Sequence, residues 1–139
     1  MEVLSIHISA FIVTIFFVVI SDLHALCWVL GFFKKLPKLR MQVFHGIVSA
    51  GLTVSILSGF FLFWPERAYL LTDTAFQVKL LLVVLLVLNA WVIHKHMQIA
   101  FVNRFRATDL QTKIFLITSG LVSTGGWIGT FFAARAIGI

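Results

Sequence analysis

The sequence predicts an all-α integral membrane protein, an antiparallel bundle of four transmembrane helices. Three observations carry that expectation. The 139 residues are 60% hydrophobic and 12% charged, with a mean hydropathy of +1.06, more apolar surface than a chain of this length needs when its outside faces water. The apolar residues gather into four runs, about 3–33, 41–64, 74–94 and 112–134. Each is as long as the roughly 20 residues that cross a hydrocarbon core of about 30 Å. The charges collect between the runs, and the length suits a single domain over 1–139.

The first run starts beside Glu2 rather than a basic segment, and Leu26 before Cys27 is not small. It therefore reads as a span and not as a signal peptide. It closes on the basic connection Lys34-Lys35-Leu36-Pro37-Lys38-Leu39-Arg40. The second run sets Gly51, Ser55 and Gly59 four residues apart and ends at Trp64-Pro65-Glu66-Arg67, an interfacial aromatic beside a helix breaker. In the third, Leu80–Leu88 holds no polar residue and no two-residue alternation, which speaks against a barrel strand. Gln98–Leu110 mixes Ile99, Phe101 and Phe105 with Arg104 and Arg106, the composition of an interfacial helix. The fourth run carries Ser119, Ser123, Gly126 and Thr130 along one stripe. Small residues of this kind let helices approach closely, within the bundle or across a homodimer face.

The formal net charge is +6, yet eight of the eleven Lys and Arg fall in or beside the first and third connections. The positive-inside rule then places those connections in the cytoplasm and both termini outside, in a bacterial-type cytoplasmic (inner) membrane. The partner implied is the lipid bilayer, not nucleic acid. Cys27 is the sole cysteine, so no disulfide forms within one chain, and a lone thiol in an apolar run reads as a small hydrophobe.

Ionisable groups at membrane depth are costly, so they mark function. Asp22 stands twelve residues before Lys34, about 18 Å along a helix and so near the midplane. It is expected to meet a partner on another helix, to be protonated, or to line a wet cavity. His24 lies about 200° further around the same helix, so the two do not form one pair. His24, His45 and His94 come from three runs in one leaflet, with Asn89 deeper than His94. Convergent histidines on bundle helices are how a bundle holds haem or a metal. His24 and His45 form the first axial pair for a haem iron, with His94 the substitute; a structural role for each histidine stays open beside ligation. Lys79 either snorkels to the outer surface or holds an acidic ligand group such as a propionate. His7, near the outer end of the first run, carries little information.

Two stretches carry a resemblance. Trp28-Val29-Leu30-Gly31-Phe32-Phe33 with Leu36-Pro37-Lys38-Leu39 resembles the end of the first helix in HemJ-type protoporphyrinogen oxidases. Phe76-Gln77-Val78-Lys79-Leu80-Leu81-Leu82-Val83-Val84-Leu85-Leu86-Val87-Leu88-Asn89 resembles the lysine-bearing helix of that family and of the CopD copper-resistance membrane domain. The resemblance implies a haem b-binding or metal-linked oxidoreductase bundle, with Lys79 at the family's lysine position and a tetrapyrrole or quinone-like lipophilic substrate. The chain departs from the pattern at three places, one of them Lys34-Lys35, which lengthens the basic turn by one residue. The family's first-helix histidine falls near Ile20 or Ser21, a turn before His24, and Ala90 stands where a second histidine is expected. Two other readings stand beside it: a small transport or permeation protein using Asp22 and Lys79, and a membrane assembly subunit without catalysis.

Overall fold

A computed structural model describes residues 2–138. They form helices α1 (Glu2–Val29), α2 (Lys38–Leu70), α3 (Thr74–Val102) and α4 (Leu110–Ile137), with one 3-10 turn at Phe105–Ala107. Among the described residues there is no strand. All four helices are long and apolar enough to cross a membrane. Their outward faces expose side chains such as Phe16, Leu81 and Phe132, surfaces that lipid solvates and water does not. The protein is a transmembrane four-helix bundle, as the sequence predicts.

The helix ends differ from the expected ones, each for a local reason. α1 stops at Val29 rather than Phe33 because Gly31 takes the left-handed conformation (φ 86°). Phe32 N–H then reaches back to Cys27 C=O and Gly31 N–H to Trp28 C=O, the paired bonds of a Schellman cap. Asp22 is thus seven residues from its helix end, about 10 Å, and sits shallower than the sequence suggests. α2 does not end at Trp64. Pro65 lacks the N–H that its helix would use, and the backbone absorbs this as a kink at Glu66 (φ −107°, ψ 15°) before running on to Leu70. α3 continues past His94 to Val102, so residues 98–102 complete that helix and no separate interfacial helix spans Gln98–Leu110. Asp73 and Asp109 cap α3 and α4, accepting from Phe76 N–H and Thr112 N–H.

Most interhelical contact lies within two hairpins, α1–α2 and α3–α4, with far less between them. Gly51 lets α2 lie against Thr14 of α1, and Gly126 and Gly129 let α4 lie against Leu86 and Leu82 of α3. The small-residue stripes are therefore spent inside the chain. The hairpins join at the end that carries the α1–α2 and α3–α4 connections, here the turn end. There Leu36 N–H donates to Ala100 C=O (3.0 Å) and Trp28 Nε1–H to Asn103 C=O (3.1 Å), over a core of Trp28, Leu36, Met41 and Ala100. At the opposite, terminal end the seam is aromatic: Phe11 meets Trp127 at 5.5 Å and Phe63 stacks on Phe76 at 5.4 Å.

Candidate functional site

The faces that the helices turn inward follow steps of three and four residues. On α1 the seam is His7, Phe11, Thr14, Val18, Ser21, Ala25 and Trp28; on α3 it runs Phe76, Lys79, Val83, Leu86, Ala90, Ile93, Met97 and Ala100. Alternating steps of this kind keep one stripe facing the partner helices. Because the hairpins touch sparingly, the seams leave two chambers between them, one above the other along the bundle and each partly open at its side.

The terminal-end chamber has a volume of about 830 Å³. Its walls are aromatic and aliphatic, with Phe11, Phe60, Phe63, Phe76, Trp127 and Phe131 among them. Lys79 and Arg135 supply positive charge, and no carboxylate stands among its described lining residues. His7 lines the same chamber. Its Nδ1 lies 2.9 Å from Ser58 Oγ, and that hydroxyl donates to Val54 C=O at 2.6 Å. A hydroxyl has one proton, so with that proton on Val54 C=O the pairing has His7 Nδ1–H as donor and Nε2 as the unprotonated nitrogen. Ser55 Oγ, also in this lining, is buried without a hydrogen-bond partner.

The turn-end chamber is smaller, about 110 Å³, and more polar at its corners. Ser21, Asp22, His45, Asn89 and Ser123 reach it between Trp28, Met41 and Met97. Asp22 Oδ2 accepts from Thr124 Oγ1 of α4 at 2.8 Å. Asn89 and Ser119 bond reciprocally: Asn89 Nδ2 donates to Ser119 C=O (2.9 Å), and Ser119 Oγ donates to Asn89 Oδ1 (2.7 Å). His45 Nε2 and Ser21 Oγ are buried without partners. Leu52, Leu86 and Trp127 line both chambers and form an apolar collar between them.

The residues singled out by sequence thus separate into three groups. Asp22, His45 and Asn89 share the turn-end chamber, and Lys79 lines the terminal-end one. His24 lines neither: its Nδ1 bonds Ile20 C=O at 2.8 Å and its ring packs on Phe33 and Phe44. His94 is exposed on α3, near enough to His45 for their charges to interact. The structure does not bring His24 and His45 to one cavity, and the chamber that His45 reaches is too small for a macrocycle. Among the described residues no group of three or more His, Cys, Asp and Glu is arranged to hold a metal ion.

Sequence reasoning missed His7, Arg135 and the collar. The signal that finds them is the three–four register, in which His7, His45 and Lys79 fall on inward seams while His24 and His94 fall off them. Comparisons with protein-family models, with curated proteins and with solved structures find no match to this chain.

Proposed function

We propose that the protein binds a lipophilic molecule carrying an anionic group, a carboxylate-bearing tetrapyrrole foremost, in the terminal-end chamber. The observation that carries this reading is an apolar, aromatic-walled space of about 830 Å³ with Lys79 and Arg135 in its wall and no described carboxylate beside them. Drug-sized and cofactor sites occupy about 300–1,000 Å³ and use a few placed polar groups against apolar walls. Lys79 is half-buried in this wall and Arg135 stands exposed at its rim; a part-buried cation is favoured when an anion meets it, and a bound carboxylate supplies that anion.

Haem is the form of this ligand for which the chamber offers most. His7, with Nδ1–H held by Ser58, presents the tautomer that ligates iron through Nε2. Lys79 and Arg135 would take the propionates. Bound haem would supply one-electron redox chemistry, and the chain would orient it and exclude water. His24 and His45 do not fit as its axial pair, for they share no cavity. The setting we assign is a bacterial-type inner membrane, with the basic connections in the cytoplasm and the terminal-end chamber in the outer half.

Titration of the detergent-purified protein with haem and with iron-free protoporphyrin, followed by tryptophan quenching and the Soret band, and with a long-chain fatty acid, followed by calorimetry, tests the reading. Saturable binding, weakened by Lys79→Met and by Arg135→Gln, is expected. His7→Ala should remove the haem band shift and spare protoporphyrin binding, while His24→Ala leaves both. Absence of saturable binding of all three compounds overturns the proposal.

A further inference from the structure

We propose that the turn-end chamber is a proton-access pathway: protons reach Asp22 from the turn-end surface through His94, His45 and chamber water, and the Leu52–Leu86–Trp127 collar stops them there. Its path residues, Asp22, His45 and His94, lie outside the ligand site; the two share the collar alone, and the inference does not depend on ligand binding.

Four observations support it. The first is hydration. A chamber of about 110 Å³ exceeds the roughly 10–15 Å³ that one water needs on this measure, and space alone leaves an apolar cavity dry. Here Ser21 Oγ and His45 Nε2 are buried without protein partners, on a serine only 8% exposed. Unpaired polar atoms of this kind are what internal water satisfies. The second is the inner end of the path. Thr124 donates to Asp22 Oδ2, and Oδ1 is left to water or to a proton. The transfer is a plain protonation, carboxylate plus proton to carboxylic acid, with no electron moved.

The third is the entrance. His94 is exposed, and His45 lies within electrostatic reach of it and also lines the chamber. In the proposed path His94 takes up a proton at the surface and His45 delivers it to the chamber water. The groups facing Asp22 across the chamber are Ser21 on its own helix, His45 on α2, Asn89 on α3 and Ser123 on α4, with Thr124 as donor; no Lys or Arg stands in the described lining. His45 is the other titratable group in that described lining. The fourth is the stop. Val18, Leu86 and Trp127 form one packed cluster with Leu52 against it, and Leu86 is pressed on Gly126. An apolar constriction holds no continuous water file and so blocks protons by dewetting.

Two experiments decide the matter. In a Cys27→Ala background, Ser123→Cys is labelled with a small membrane-impermeant thiol reagent in sealed vesicles of each orientation, with Lys35→Cys reporting the turn-end face. Ser123→Cys should react only from the face where Lys35→Cys reacts, since the reagent needs water to meet a thiolate. No reaction from either face, or equal reaction from both, overturns the pathway. In the second, liposomes loaded with a pH-sensitive dye carry wild type, Trp127→Ala and Trp127→Ala/Asp22→Asn. Opening the collar should raise proton flux severalfold, and removing the carboxyl should return it to the wild-type level. Should Trp127→Ala fail to fold, Leu52→Ala replaces it. Flux unchanged on opening the collar, or raised flux indifferent to Asp22→Asn, overturns the proposal.

Discussion

At Gly51 an added methyl group would fall on Thr14 Oγ1, whereas at Gly125 it would meet nothing within 4 Å. The two glycines are therefore opposite experiments on one chemistry. Gly51→Ala should destabilise the bundle by about 1–3 kcal/mol, the range for overpacking, because Thr14 is fully buried and bonded to Ala10 C=O. Gly125→Ala should be neutral or stabilising by up to about 1 kcal/mol, through helix propensity alone. Unfolding titrations in mixed micelles measure both, and equal effects would refute the α1–α2 contact. The Asn89–Ser119 pair is the polar counterpart. Asn89→Ala should cost about 1 kcal/mol, within the range for interhelical bonds in membranes, and Ser119→Ala should add little to it in a double-mutant cycle. At this scale the sequence revealed which residues were unusual but not which met. Asp22 was legible as a group in need of a partner. Thr124 was not legible as that partner, since a threonine 102 positions away carries no mark of it.

Hydrophobicity tells where a helix crosses lipid, and caps and packing tell where it ends. That difference explains why the four runs were legible and their boundaries were not. The third run read as closing at His94, yet Lys95 lies over Trp91 at 4.4 Å and His96 stacks on Phe115 at 5.3 Å. These contacts carry α3 onward beside α4. Pro65 likewise read as a stop and proved a bend. The start of α4 depends on Asp109, whose carboxylate accepts from Thr112 Oγ1 (2.6 Å) and Thr112 N–H (3.1 Å). Those bonds hold its carboxyl below the usual aspartate range. A carboxyl lowered in the folded state contributes stability above its unfolded pKa and loses it as pH falls through the folded value. Thermal unfolding in detergent should thus show Asp109→Asn less stable than wild type near neutral pH, with the gap closing in acid. A gap that stays constant with pH would mean that the carboxylate charge is not what the cap contributes.

Over the whole molecule, the count of positive charges decides orientation before any contact does. With Cys27→Ala as background, Lys35→Cys should label from the cytoplasm and Thr72→Cys from outside; the reverse pattern would invert both chambers. What the charge pattern could not disclose is that the four helices associate as two pairs. That pairing comes from small residues meeting particular neighbours, Gly51 with Thr14 and Gly126 with Leu86, and spacing alone does not name the neighbour. Its consequence concerns how the protein is made. A chain entering the membrane from its amino terminus completes α1–α2 before α3 has emerged, and that hairpin already holds its His7–Ser58 bond. The second hairpin carries its own Asn89–Ser119 pair and needs little from the first. The two halves, encoded as separate polypeptides divided at Thr72, should each insert and then find one another in the bilayer. The clasp they must rebuild is small, Leu36 on Ala100 and Trp28 on Asn103, and it lies at the end that carries both connections.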